Sequence, residues 1–523
     1  MRILTAALFL ALSLAGCGGG GGSGGGGSTQ LAAAWQSGVF QPAANFVNMC
    51  AMPRTGVDPF NNNAPYPDRA GSVLYENNWL RAWTNDLYLW FDEVIDKNPA
   101  NYSTAVAYFD VLKTNALTPS GADKDRFHFT YSTADWNNLA SAGVQAGYGP
   151  QWAIVSSRPP RNVVVAYLDP GASGAATDPT LLRGATVVSV DGEDLINGSN
   201  STTLNKGLFP ATAGESHIFG ILDQGATSTR LVTLVSAKVA LSPVMSVGTI
   251  VPASGPGLIG YILFNNHLGK SESAMIDAIS TLSKAGVTDL VLDIRYNGGG
   301  FLDVASEVAY MIAGAGPTTG HTFDLTKFNS KHPTIDPVNN VPIAPVPFFT
   351  SSSTGQALPT LNLSRVFVLT GPDTCSASEA IINGLRGVNI GVIQIGSTTC
   401  GKPYGFFPQD NCGTTYFTIE FDGVNDMNIG GYTDGFSPKN TPSTQRVGVS
   451  VPGCSVADDF AHQLGDSAEA RLSQALAYRQ NGGSCTVPAS GFGKTLRAQS
   501  SVDSGPYLPA SPLRALTLPR RRS

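Results

Sequence analysis

Charge is what this chain is short of. Only 13% of its 523 residues are Asp, Glu, Lys or Arg, about half the globular average, and the net charge is −6. There is no basic helix and no Gly-rich loop running into Lys-Ser/Thr, so the usual footprints of nucleic-acid and nucleotide binding are missing. Neither His-Glu-x-x-His nor a clustered Cys/His pattern of zinc type occurs, and no metal or cofactor is expected. Gly-x-Ser-x-Gly does not surround Ser376, which argues against an α/β-hydrolase elbow. The histidines (His128, His217, His267, His321, His332 and His462) are scattered. A Ser-His-Asp triad stays open all the same, because its members converge only in the fold.

Long apolar runs are also scarce. Ile3–Leu14, behind Arg2, is too short to span a bilayer as a mature helix. It ends in Leu14-Ala15-Gly16-Cys17, which resembles a bacterial lipobox; the alternative is an ordinary signal peptide with an accidental cysteine. The lipobox reading makes 1–16 a signal peptide, Cys17 the lipidated residue and 17–29 a Gly/Ser tether. It implies a membrane partner through the N-terminal lipid and a place in the bacterial cell envelope. Gly18, standing where aspartate usually signals retention, suggests the outer membrane facing the periplasm.

Export makes disulfides available to Cys50, Cys375, Cys400, Cys412, Cys454 and Cys485. Proximity in sequence suggests Cys400 with Cys412 and Cys454 with Cys485. A Cys375–Cys400 bridge competes.

The most informative stretch is Val366–Lys402. Val366–Leu369 is a β-branched and aromatic run, Gly371-Pro372-Asp373 is turn chemistry, and Ala377–Leu385 has helical spacing closed by Gly387. Ile390–Ile395 is a second strand leading to Cys400-Gly401-Lys402. Ser376 thus stands at a helix entrance. Ser376-Ala377-Ser378-Glu379 fits a helix-capping box, yet a hydroxyl there also faces free N–H donors that could hold an oxyanion. Lys402 could serve as its base if the fold joins them and burial keeps the amine neutral.

Elsewhere, 30–65 reads as an irregular lead-in. Aromatics recur at helical spacing from Tyr75 to Trp90 and suit core packing, and Tyr102–Leu117 reads as another helix, giving a helical domain over 66–140. Residues 141–240 are β-rich. Leu258–Phe264, Glu272–Lys284, Asp289–Asp293 and Phe301–Ile312 alternate strand with helix, as in an α/β layered domain over 241–485. The Pro- and Thr-rich Gly314–Pro359 reads as a surface excursion. Residues 486–523 read as a disordered or self-inhibitory tail.

Three pieces together carry a resemblance. Leu292-Asp293-Ile294-Arg295-Tyr296-Asn297-Gly298-Gly299-Gly300, Ser376-Ala377-Ser378-Glu379 and Gly401-Lys402 resemble, in order and nearly in spacing, the motifs of the carboxyl-terminal processing proteases (tail-specific proteases, peptidase family S41). The likeness covers roughly 75–480. It implies a multidomain α/β fold with a crotonase-like catalytic core, an inserted PDZ-like β-rich domain and a small N-terminal helical domain. It also implies a serine endopeptidase acting on polypeptides near unfolded or C-terminal segments, with Ser376 as nucleophile, Lys402 as general base, and Gly299 and Ala377 as oxyanion donors.

Within the β-rich part, Leu182–Gly192 resembles a PDZ segment, and Gly147-Tyr148-Gly149 could hold a chain-terminal carboxylate or be an ordinary turn. Two positions depart from the pattern. Gly298 replaces a proline, and Phe406 replaces the glutamine that orients the lysine in many members; Gln409 is the candidate substitute. Phe406 leaves room for a rival, a catalytically inactive peptide-binding lipoprotein on the same fold. A non-proteolytic acyl-transfer enzyme on that core is a second rival.

Overall fold

The computed structural model describes residues 35–170, 181–486, 489–490 and 517–518. The expected signal peptide, Cys17 and the tether lie outside the described residues.

The aromatic stripe forms a helix over Val73–Leu87, capped by Ser72, whose Oγ accepts from Tyr75 N at 3.4 Å. Trp79 and Trp83 stack at 5.3 Å and pack against Tyr416, so the stripe is core. The second expected helix shrinks to Ala105–Phe109. Beyond it Thr114 binds sideways: its N–H donates to the Tyr88 hydroxyl oxygen at 3.1 Å and its Oγ1 donates to Glu93, drawing the chain away from helical bonds. A further helix spans Thr133–Ala142.

This N-terminal part is sewn to the rest of the molecule. Phe129–Ser132 pairs antiparallel with Thr414–Phe417, and Cys50 is bonded to Cys412. The expected Cys400–Cys412 bridge is therefore wrong. Cys400 is joined to Cys375, and Cys454 to Cys485 as expected. Proximity in sequence misled because the loop holding Cys400 folds back on the turn before Ser376, whereas Cys412 faces the lead-in.

Residues 144–240 hold an antiparallel sheet. Its strands are Pro150–Ser156, Asn162–Leu168, Thr186–Val190, Ser216–Leu222 and Arg230–Val235, with the helix Ser201–Leu208 packed on its apolar face. Asp191 and Gly192, both with positive φ, make the turn expected after Val190. Arg183 anchors this unit to the rest: its guanidinium donates to the Tyr296 hydroxyl at 2.7 Å and to Asp458 at 2.8 Å.

The core is one six-stranded sheet. In chain order its elements are β1 (Val244–Ile250), β2 (Leu258–Phe264), α1 (Ser271–Ala285), β3 (Val287–Asp293), α2 (Leu302–Ala313), β4 (Arg365–Thr370), α3 (Ala377–Gly387), β5 (Gly391–Gly396), β6 (Gly453–Ser455) and α4 (Ala470–Gln480). The strands lie in chain order from β1 to β6; β1 is antiparallel to β2 and every later pair is parallel.

The period of two sorts the side chains. Ile262, Phe264, Leu290, Leu292, Val366 and Val368 join the core under α1–α3. Tyr261, Leu263, Val291, Phe367, Leu369 and Ile395 join the core under α4. Both faces are covered, which is why these strands read as continuous apolar runs. α1 ends at Gly286 in the left-handed conformation, as its sequence predicts.

The stretch Gly314–Pro359 is more than an excursion. Its strand Thr322–Phe328 pairs antiparallel with Phe421–Val424, which also pairs with Tyr404–Gly405, and this small sheet lies over the C-terminal side of β4.

Candidate active site

The parallel strands set the site. β3 exits into Arg295–Gly300 and β4 into the turn before α3, side by side. Arg295 is fully buried and fixes the first loop: its guanidinium donates to Asp293, to Glu469 at 2.7 and 2.9 Å, and to Asp458 at 2.9 Å. Asn297 joins the two loops. Its backbone carbonyl accepts from Cys375 N and Ser378 Oγ, and its Oδ1 accepts from Gly299 N at 3.0 Å. Gly299, expected to supply a free N–H, is thus engaged within its own loop in this state. Ala377 opens α3, where a helix leaves N–H groups without intrahelical partners.

Ser376 adopts φ 61° and ψ −119°, a conformation costly for a non-glycine residue, by about 1–3 kcal/mol. Only half of the capping box is made: Ser376 N donates to Glu379 Oε2 at 3.0 Å. Ser376 Oγ is buried with no hydrogen-bond partner among the described residues.

Glu379 does more than cap. Its Oε1 accepts from Thr399 Oγ1 and from Gly401 N at 2.8 Å, and its Oε2 also accepts from Lys402 N at 2.8 Å. One buried carboxyl therefore ties the turn holding Ser376 to the loop holding Lys402. Burial pushes its pKa up, against the pull of these four donors. Gly401, at φ 84°, has no room for a side chain: a Cβ would fall 2.4 Å from the carbonyl oxygen of Thr433.

Lys402 is 1% exposed, and its Nζ has no hydrogen-bond partner among the described residues. Burial pushes its pKa well below the ordinary lysine value; the Asp125 and Glu379 carboxylates pull it back only in part. The amine sits 3.9 Å from the centroid of the Phe406 ring and 5.3 Å from that of Phe127. Gln409, the candidate orienting residue, does not reach it. Its amide lies near the Asp410 carbonyl, on a strand paired with Thr414–Tyr416. Phe406 itself fills the place left by the missing glutamine.

Ser376 and Lys402 line one small, partly open cavity with about 10 Å³ of water-accessible space, together with Asp324, Tyr404, Phe421 and Tyr432. His267 is buried, and its pKa is lowered to about 3 by burial. Its Nδ1 lies 3.1 Å from Asn297 Oδ1, and it does not line this cavity. A cavity with about 60 Å³ of water-accessible space lies across the glycine loop, between Trp152 and Tyr167 of the β-rich unit and Gly298.

In that unit Gly147 ends a strand paired with Ala237–Ala240. The Tyr148 ring is buried, with its hydroxyl donating to Gly207 O, and the Gly149 carbonyl accepts from Asp169 N. Sequence reasoning missed Asp125, Phe127, Asp324 and Tyr432, which lie far from every motif. Glu379 it read only as a cap.

A buried hydroxyl at a helix mouth that shares a cavity with a buried amine, whose pKa burial depresses, is an arrangement suited to acyl transfer. Residues 258–408 match the model of peptidase family S41. The chain thus carries a segment of the peptidase S41 type. Among its relatives, the chloroplastic carboxyl-terminal-processing peptidase 2 of Arabidopsis thaliana is 29% identical over 177 residues, covering 33% of this chain and 32% of that one. The chloroplastic C-terminal processing peptidase of Tetradesmus obliquus is 26% identical over 245 residues, covering 46% and 48%. The chain thus spans about a third to a half of the length of these curated relatives. A solved structure described as an S41 protease of Bacteroides fragilis shares the fold, with TM-score 0.55 and 19% identity over 80% of this chain and 98% of that one. The S41 match includes all three motifs.

Proposed function

We propose that this S41 protein is a serine endopeptidase working through a Ser376–Lys402 dyad and an acyl-enzyme. The observation that carries the reading is that Ser376 and Lys402 line the same cavity, with Oγ and Nζ both buried and without hydrogen-bond partners among the described residues. The neutral amine takes the proton from Oγ as Oγ attacks a peptide carbonyl. The protonated amine then returns it to the leaving nitrogen, and water repeats the cycle on the ester. Ala377 N–H and, once its bond to Asn297 is exchanged, Gly299 N–H would face the oxyanion; one such donor commonly contributes about 3–4 kcal/mol.

The core would be crotonase-like and the unit at 144–240 PDZ-like, presenting unfolded or C-terminal segments of exported proteins across the cavity beside Gly298. Cys17 would carry a lipid and hold the enzyme to the bacterial envelope, at the outer membrane. Phe406, which as a sequence feature favoured a silent peptide-binding scaffold, here covers the amine and so supports the active reading.

The test is digestion of an unstructured protein such as casein by the parent, Ser376→Ala and Lys402→Met chains. Cleavage by the parent alone is expected. Equal cleavage by the parent and Ser376→Ala would sink the assignment.

A further inference from the structure

The geometry points to Asp324 as a specificity determinant: the cavity beside Ser376 receives a basic side chain, Lys or Arg, on the residue whose carbonyl is attacked. Asp324 is 7% exposed, lines that cavity, and its Oδ1 is buried without a hydrogen-bond partner among the described residues. Its Oδ2 faces Gly423, where a Cβ would fall 2.2 Å away, so glycine keeps the approach to the carboxyl open. Asp422 lies beside it and adds a second acidic group; together with burial it raises the Asp324 pKa to about 8.

Among the described residues no basic side chain makes a hydrogen bond or ion pair with this carboxyl. The carboxylates that act on Lys402 are Asp125 and Glu379, not Asp324. Lys327, on the same strand as Asp324, is exposed and donates to Asn428. A buried carboxyl left without a partner is costly even when it keeps its proton; an arriving ammonium or guanidinium supplies donors and favours the ionised form, which then pairs with it. The other walls suit the stem of such a side chain: Leu302, Ala380, Pro403 and Phe421 are apolar, and long basic side chains bury their methylenes against such surface. An extended chain has a track past this opening. The protein's own Thr517–Leu518 pairs in parallel with Gly300–Phe301, beside Tyr404–Gly405.

The inference rests on the endopeptidase reading, and the experiment separates the two. Cleavage sites in casein are mapped by mass spectrometry. Internally quenched peptides with Lys, Arg, Gln, Leu or Asp before the scissile bond are then compared for the full chain and Asp324→Asn. For the parent, kcat/KM for Lys or Arg should exceed that for Leu by about tenfold or more. In Asp324→Asn that ratio should fall toward one while Leu peptides are still cleaved. Parent cleavage favouring Gln or Leu overturns the inference without any variant having to fold, as does an unchanged ratio in Asp324→Asn. The absence of any Ser376-dependent cleavage overturns both readings.

Discussion

Glu379 Oε2 holds the backbone N–H of Lys402 at 2.8 Å while the same oxygen holds that of Ser376 at 3.0 Å. Ser376 and Lys402 are carried on separate strand-to-loop exits, and this carboxyl is a direct link between their backbones. Glutamine in its place offers one acceptor oxygen where four donors converge, so two of them lose their partner. Glu379→Gln should lower kcat by on the order of 10–100-fold with KM changed little, since the substrate cavity is not lined by this residue. A merely structural role would lower the fraction of active enzyme instead. Titration of active sites with a fluorophosphonate distinguishes the two, because a positioning role predicts full titration at a slower rate.

Lys402 should weigh on stability in the direction opposite to its use. Its folded pKa is depressed by burial, so the folded state binds fewer protons there than the unfolded chain does. The stability tied to this group is fully present above the unfolded lysine value of about 10.4, and is lost as pH falls toward the folded pKa. Lys402→Met removes that penalty. It should abolish casein cleavage, by on the order of a thousandfold or more, and yet melt at a higher temperature than the parent at pH 7. A lower melting temperature would mean that the amine stabilises the fold.

Much of this site was legible in the sequence, for reasons that particular residues make plain. The runs at Leu258–Phe264 and Val366–Leu369 are apolar on both faces because the sheet is covered on both sides, and Gly286 caps its helix as its chemistry predicts; Gly387, expected as a cap, is instead the last helical residue and Val388 follows as the cap. The Ser376 and Lys402 motifs share one cavity. What could not be read was anything set by contact across the fold. Phe127 reaches Lys402 from a loop 275 positions earlier in the chain, a difference of 402 and 127. Asp324 sits in a stretch whose prolines and threonines suggested surface, though its strand pairs with Phe421–Val424. Cys412 found Cys50 rather than its neighbour Cys400. Phe406 looked like a defect only while its ring could not be placed over the amine.

Asp324 gives the protein an alkaline weakness. Its pKa is raised to about 8 by burial, then by Asp422 on the paired strand, with Lys327 opposing; Tyr432 packs nearby with its own pKa raised. A raised carboxyl pKa means that the folded state holds the proton longer. The stability is full below the unfolded value near 4 and declines as pH rises through about 8. Urea unfolding of the parent should therefore lose several kcal/mol between pH 5 and pH 9, at about 1.4 kcal/mol per pKa unit, and Asp324→Asn should lose distinctly less. Parallel pH profiles for the two chains would refute the assignment. Asp422, raised to about 6, contributes to both chains and so cancels in the comparison.

The C-terminal strand predicts restraint of the enzyme by its own chain. Thr517–Leu518 takes the edge of Gly300–Phe301, immediately after Gly299 and next to Tyr404–Gly405. A substrate that is to lie extended past Ser376 needs the same edge, because backbone N–H and C=O groups along a strand are satisfied by one neighbour at a time. The segment is tethered, so it competes at high effective concentration whatever the enzyme concentration. A chain lacking residues 511–523 should therefore cleave short quenched peptides with kcat/KM raised by roughly two- to tenfold. The same residues added as a free peptide should inhibit the truncated chain competitively. Equal rates for the full and truncated chains, with no inhibition by the peptide, would show that this strand leaves the substrate edge open in solution.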